Sequence, residues 1–369
     1  MPIVLAALLS LAATAEDPRA FSVASADGHV INGEVDAAEG EPRGVVVMVA
    51  GTGAFDRDVT LGRTGTARDK LFADLGARFA ERGMAAVRFD RRGVRHGVPA
   101  AEVLDMEAYP AITAETLSAD VGAVDGWVRS AEGLNAQCVV YFVHSEGGVH
   151  LAGRAEAGMT QPDLIIGMGA PLESKVSAVR WQMSGRDADS LLMMDADGDG
   201  TITNDEVRAN WTRTPSAVFG MLEPFLHPNG AWTAADLELL KTNQAAAYEG
   251  EKTRSLAVAD GDPYPNAQSP AFSYSWWKSW FTDDTPIAAR LARWSTPMIL
   301  HYGEIDSQVR EARQKAAAEG VLAPGQATFI SHPDRGHSLG VETLMGPIDE
   351  AIADQIADEA AAGCAGAAA

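Results

Sequence analysis

The chain has 369 residues, 46% of them hydrophobic and 22% charged, which is ample material for a buried core. Its formal net charge of −22 argues against nucleic acid or an anionic membrane surface as a partner and suits a soluble protein of a salty or extracellular setting. A length prior of about 150 residues per domain suggests one large domain carrying an insertion.

The N-terminus reads as an export signal. Ile3 to Ala13 is an apolar run, followed by the small residues Ala13-Thr14-Ala15 and then Glu16-Asp17, so residues 1–15 form an h-region with a cleavage site. No Lys or Arg precedes the run, which departs from the usual pattern. The run is too short to span a bilayer, and no later segment is apolar enough to do so. A periplasmic or secreted location is therefore expected. Cys138 and Cys364 are the two cysteines. They set no disulfide framework, and with Cys364 in an Ala/Gly tail, free thiols are as good a reading as a pair.

Phe21 to Ala24 and Val30 to Val35 flank Asp27-Gly28, a hairpin signal. Val45 to Val49 is a continuous apolar run, as expected of a strand buried on both faces. It ends in the Gly-rich loop Ala50-Gly51-Thr52-Gly53, continuing through Asp56-Arg57-Asp58, which can aim backbone N–H groups into a crevice. A helical stripe at Leu71, Leu75, Phe79 and Ala80 stops at Gly83, and Ala85 to Phe89 is the next strand. Asp90-Arg91-Arg92-Gly93 then makes a second loop at the same edge. Thr116 to Arg129 is a helix with Leu117, Val121, Val124 and Val128 inward.

Val139-Val140-Tyr141-Phe142-Val143 runs straight into His144-Ser145-Glu146-Gly147-Gly148, and Val149 to Glu156 reads as a helix. A strand turning sharply into a helix over a serine is a nucleophile elbow, with Val143 where the usual Gly-x-Ser-x-Gly pattern has its first Gly. Leu164 to Met168 is a further strand. Strands and helices alternating at this spacing imply an α/β fold, a mostly parallel sheet with helices on both faces. From about Leu172 to Thr285 the alternation stops. Six of the eight Trp fall there, and the stretch is expected to be a mainly helical cap over the carboxyl edge of the sheet. The core is thus expected at 16–171 and 286–363, with the cap at 172–285. Ile287 to Trp294 returns as a helix and Met298 to Tyr302 as a strand, ending in Gly303-Glu304-Ile305-Asp306. Thr328 to Ile330 is the last strand, followed by His332-Pro333-Asp334-Arg335-Gly336-His337. Gly346-Pro347 opens a final helix, and the low-complexity stretch from Ala360, with a flexible tail at 364–369, is expected to fray.

Ser145, Asp306 and His337 follow one another in the chain order of an α/β-hydrolase triad. A serine hydroxyl needs an imidazole to take its proton, and the imidazole needs a carboxylate to fix its tautomer. The rivals are Glu304 or Asp334 for the acid and His332 or His301 for the base. Asp306 and His337 are favoured because Glu304 comes earlier in its turn, His301 lies within a strand and His332 follows its strand too closely.

At these residues the sequence resembles the α/β-hydrolase group of bacterial serine hydrolases related to the S9/S33 peptidases and dienelactone-hydrolase-like esterases. The matching pieces are Gly51-Thr52-Gly53 with Asp56-Arg57-Asp58, Arg88 to Gly93, His144 to Gly148, Ser273-Tyr274 with Trp276-Trp277, Pro297 to Val309, and Gly336-His337. The resemblance implies a carboxylic-ester hydrolase with a Ser-His-Asp triad. It also implies an oxyanion hole made by the backbone N–H groups of Glu146 and Thr52, with Gly53 as the alternative to Thr52. A peptidase acting on short peptides, or a calcium-binding protein on a non-catalytic hydrolase scaffold, are the competing readings.

Within the cap, residues 195–206 place Asp195, Asp197 and Asp199 at positions 1, 3 and 5 of an EF-hand loop. Gly200 stands at 6, Thr201 at 7, Ile202 at 8, Thr203 at 9 and Glu206 at 12. Hard oxygen ligands at this spacing wrap one Ca²⁺. Leu191 to Met194 and Val207 to Trp211 are the expected flanking helices. Residues 225–236 repeat the frame with Asn229, Gly230, Trp232, Thr233 and Asp236 but have Phe225 and His227 at positions 1 and 3. They are expected to be a degenerate second hand, with Trp232 bridged to Ile202. An ester substrate and a structural calcium ion are the expected partners.

Overall fold

A computed structural model describes residues 19–62, 64–99, 102–211, 222–260, 262, 273–340 and 346–365. The export signal expected at 1–15 lies outside these residues, as does the end of the tail. Strands β1 (Arg19–Ala24) and β2 (Val30–Asp36) form the antiparallel hairpin, with Gly28 at φ +86° in its turn. β3 (Val45–Val49), β4 (Ala85–Phe89), β5 (Val139–His144) and β6 (Leu164–Met168) follow in the same sheet. The short strands β7 (Ile202–Thr203) and β8 (Ala231–Trp232) pair apart from it, and β9 (Met298–Gly303) and β10 (Ala327–His332) complete it. The order is β1-β2-β4-β3-β5-β6-β9-β10, parallel from β4 to β10.

The strand sequences dictate the layering. Val45, Val47 and Val49 with Val139, Tyr141 and Val143 point to one face, and Val46, Met48, Val140 and Phe142 to the other. Side chains alternate across a strand, so a strand that is apolar throughout must be covered twice. Helices α2 (Ala114–Arg129) and α3 (Gly147–Glu156) cover the first face. α1 (Leu71–Glu81) and the last helix, α11 (Glu350–Gly363), cover the second. The chain leaves β3 for β4 on one side and returns to β5 on the other. That reversal opens a crevice at the carboxyl ends of β3 and β5.

Between β6 and β9 the chain is mainly helical: α4 (Lys175–Ser184), α5 (Arg186–Leu192), α6 (Asn204–Asn210), α7 (Ala234–Ala257) and α8 (Tyr274–Thr282). Trp276, Trp280 and Phe281 of α8 join the core on the α2/α3 side. A separate small core gathers Ala188, Leu191, Met194, Ile202, Val207, Phe225 and Leu237. Its centre is the bridge expected from the sequence: Ile202 pairs with Trp232 and Thr203 with Ala231, antiparallel.

Several expectations need correction. α9 spans Ile287–Leu291, not Ile287 to Trp294; Trp294 lies beyond it, buried, with its indole N–H donating to the Met159 carbonyl. α10 (Glu311–Ala318) is an additional helix that buries only Gln314 and Ala318 and so carries no apolar stripe in the sequence. The last strand extends past Ile330 to include His332. The final helix starts at Glu350, where the Asp349 carboxylate accepts from the Ala351 and Ile352 amides, and not at Gly346-Pro347. The chain end is not frayed at Ala360, which is fully buried, and Cys364 is bonded to Cys138. The two thiols are therefore a disulfide across 226 residues, not free, with Gly44 leaving the room a side chain there would take from Cys364 Sγ.

Candidate active site

Ser145 follows the last residue of β5 and adopts φ +52°, in the left-handed region that a non-glycine residue rarely occupies. Its amide donates to the Met168 carbonyl at 2.9 Å, which ties the turn to the end of β6. Two glycines make the turn possible. A Cβ on Gly147 would lie 2.3 Å from the Val49 carbonyl oxygen, and one on Gly51 would lie 2.8 Å from Ser145 Cβ. The loop after β3 therefore passes directly beside the serine. Val143, where a glycine is usual, is buried in the strand with Gly148 and Gly167 packed beside its Cγ2.

Asp306 and His337 meet at the same edge. His337 Nδ1 lies 2.8 Å from Asp306 Oδ2, and Asp306 is fully buried. Asp306 Oδ1 accepts from the amides of Gln308 at 2.7 Å and Val309 at 3.0 Å, so the carboxylate is fixed on both oxygens. His337 is nearly buried, with its ring centroid 5.1 Å from that of His144, the residue before Ser145. Gly169, at φ +57° after β6, is the unread glycine of the site. A Cβ there would stand 2.7 Å from His337 Cε1 and 3.3 Å from Asp306 Oδ2. Burial first, then the neighbouring His337, holds the His144 imidazole neutral, with its pKa well below the ordinary 6.5.

The rival histidines are occupied elsewhere. His301 Nδ1 lies 2.9 Å from His332 Nε2, and His301 Nε2 lies 2.8 Å from Glu359. That pair is buried between β9, β10 and α11. Glu304 is exposed, and its carboxylate accepts from the Asp334 amide.

Glu146 is 3% exposed, a carboxylate buried one residue after the serine. Thr52 Oγ1 donates to its Oε2 at 2.8 Å, Arg91 Nη1 to the same oxygen at 3.1 Å, and Trp276 Nε1 to Oε1 at 2.5 Å. Burial alone would raise its pKa, but the Arg91 charge and these donors outweigh it and keep the carboxyl below its ordinary range. Arg91 was legible only as part of a loop. Its double attachment, to Glu146 and to the Gly51 carbonyl at 2.9 Å, needs the fold to bring two loops together. The same loops are bolted by Arg57, whose Nε and Nη2 engage both oxygens of Asp90 at 3.0 and 2.7 Å.

No family model and no curated protein matches the chain. Solved structures do. An α/β hydrolase, GrgF from Penicillium sp. sh18, is similar with a TM-score of 0.53 at 15% identity, over 95% of this chain and 99% of that one. A proline iminopeptidase of Mycobacterium smegmatis is similar with a TM-score of 0.54 at 14% identity, over 95% of this chain and all of that one. The fold is that of the α/β-hydrolases. In an α/β-hydrolase sheet the carboxyl edge of the strands is where ligands bind, and that is where Ser145, His337, Asp306, Thr52 and Glu146 lie.

In the insertion, Asp195, Asp197 and Asp199 bring carboxylate oxygens within 4.8 Å of one another. Asp195 accepts from the Gly198 and Gly200 amides and Asp199 from the Thr201 amide, and the two glycines take φ +73° and +83° to close the turn. Glu206 is not part of that cluster but folds back on the same loop: it accepts from the Ala196 amide and from both the amide and hydroxyl of Thr203, forming a capping box on α6. Thr233 and Asp236 make the same box on α7. Among the described residues, no helix is long and apolar enough to cross a membrane.

Proposed function

We propose that this chain is an exported serine hydrolase that cleaves small or medium carboxylic esters. One observation carries the reading: a serine held at φ +52° between β5 and α3, on the sheet edge where a histidine is fixed by a buried aspartate at 2.8 Å. Asp306 accepts from His337 Nδ1–H, which leaves Nε2 as the base. Ser145 Oγ attacks the ester carbonyl carbon while its proton passes to His337 Nε2. That proton then goes to the alcohol oxygen as the carbon–oxygen bond breaks, leaving an acyl-serine. Water, deprotonated by the same imidazole, attacks the acyl carbon and releases the acid and free Ser145. The N–H groups of Thr52 and Glu146 hold the negative oxygen of each tetrahedral intermediate. Glu146 caps α3, so its N–H belongs to a helix start whose amides have no partner within the helix.

Export is supported by the Cys138–Cys364 disulfide, which suits an oxidising compartment. The donor set of 195–206 fits a calcium ion: three carboxylates converge on a turn of hard oxygen ligands. Asp195, Asp197, Asp199 and Thr201 would hold it, with Thr203 at position 9 and Glu206 leaving its capping box to close the site. The ion would stiffen the insertion and take no part in the chemistry.

A panel of p-nitrophenyl esters and aminoacyl p-nitroanilides tests the reading. Ester turnover should exceed anilide turnover and should fall by at least about a thousandfold in Ser145→Ala, the usual scale for losing a triad member. A preference for anilides would make the chain a peptidase. Turnover that survives in Ser145→Ala would remove the serine from the mechanism.

A further inference from the structure

The oxyanion hole proposed above needs the Thr52 N–H to point at the acyl carbonyl, and the loop carrying it is glycine-rich. We infer that Arg91 is the positioning residue that aims this N–H, acting as a clamp on the peptide between Gly51 and Thr52. The inference rests on the serine-hydrolase reading and goes beyond it.

The Gly51 carbonyl and the Thr52 amide are opposite ends of one planar peptide unit. Among the described residues the only cis bond is Gly346–Pro347, so this peptide is trans and its N–H points away from its C=O. Arg91 Nη1 donates to the Gly51 oxygen at 2.9 Å, which fixes the direction of the C=O and with it the opposite direction of the N–H. A Cβ built on Gly51 would lie 2.8 Å from Ser145 Cβ, so this peptide runs beside the nucleophile. Without the clamp, Gly51 leaves this peptide plane freer to rotate, since the plane turns on ψ of Gly51 and φ of Thr52 and Gly tolerates backbone conformations closed to other residues.

The clamp is itself held. Arg91 is buried, and the same Nη1 donates to Glu146 Oε2, so the carboxylate balances the guanidinium charge. Glu146 takes the Thr52 hydroxyl at 2.8 Å on that oxygen, which anchors the side chain of the residue whose amide is being aimed. Trp276 of α8 closes the cluster from the insertion through its bond to Oε1. Glu146 thus supplies one oxyanion N–H from its backbone and orients the other through its side chain. The elbow, the loop after β3 and the insertion are joined at one carboxylate.

A misaimed donor weakens the transition state and leaves substrate binding alone, so the effect should fall on kcat and not on KM. The test uses the full chain with p-nitrophenyl butyrate, active sites counted by fluorophosphonate titration, and a trifluoromethyl ketone as a transition-state analogue. Arg91→Met should lower kcat per titrated site about a hundredfold, the scale of losing one oxyanion donor, with KM within about twofold. The trifluoromethyl ketone should bind correspondingly more weakly. Arg91→Lys, which keeps the charge but carries it on a shorter side chain without the planar guanidinium, should fall between Arg91→Met and wild type. If Arg91→Met fails to fold, Thr52→Ala decides: it removes only the anchoring hydroxyl, and kcat should fall several-fold at unchanged KM. A kcat per titrated site equal to wild type in these variants overturns the clamp, even if stability drops. If wild type itself takes no fluorophosphonate, it is the serine-hydrolase reading that fails.

Discussion

At the scale of single residues, the histidines separate by their partners. Of the two histidines that follow β9, His337 faces a fixed carboxylate at the carboxyl edge, while His332 lies in β10 against His301. His337→Ala should therefore be nearly as inactive as Ser145→Ala, whereas His332→Ala should stay within about tenfold of wild type in kcat/KM, a difference on the order of 1.4 kcal/mol. The reverse ranking would move the base to the buried pair. The sequence favoured His337 on loop position, and it lacked the physical reason, which is that His332 is spent inside the sheet. His150 belongs to the stability account instead. Burial, only partly countered by Glu146, lowers its pKa from the ordinary 6.5 to about 4. His332 is likewise lowered to about 4 by burial and by His301. Unfolding frees each ring to bind a proton below pH 6.5, while the folded ring stays neutral down to about 4. Their stabilisation is complete above pH 6.5 and declines as pH falls towards 4, on the order of 3 kcal/mol for His150. Melting temperature followed over that window should drop steadily in wild type and less steeply in His150→Leu. Equal slopes would contradict the burial argument.

At the scale of elements, the strands were legible because a short β-branched apolar run such as Val45 to Val49, followed by a Gly-rich loop, suits a doubly covered strand. Elements without a stripe were not. α10 buries a glutamine and an alanine, and its Gln314 side chain accepts from the Leu172 and Glu173 amides, a role no periodicity announces. The insertion was legible through spacing. The frame shared by 195–206 and 225–236 foretold the Ile202–Trp232 bridge, because position 8 of each loop meets its counterpart across the pair. It did not foretell the second use of Glu206 as a capping carboxylate. If the calcium proposal holds, calorimetry should find one bound Ca²⁺ per chain, absent in the double variant Asp195→Ala with Glu206→Ala. Chelation should lower the melting temperature of wild type and leave that variant unmoved. Two equivalent sites would contradict the degeneracy of 225–236, and no binding would remove the ion.

At the scale of the whole molecule, the fold followed from strand–helix alternation, the elbow and the chain order of the acid and the base. What sequence could not supply was contact between distant stretches. The Cys138–Cys364 bond, the Gly169 gap beside His337 and the Arg91–Glu146–Trp276 cluster each join residues more than fifty positions apart or across separate loops. The central claim is that this architecture activates one serine. Its most direct measurement is mass spectrometry of the chain after treatment with a fluorophosphonate, followed by peptide mapping. The account predicts one adduct per chain, on the peptide bearing Ser145, and none in a Ser145→Ala variant that melts at the wild-type temperature. An unlabelled wild type, or the same adduct in Ser145→Ala, would contradict it.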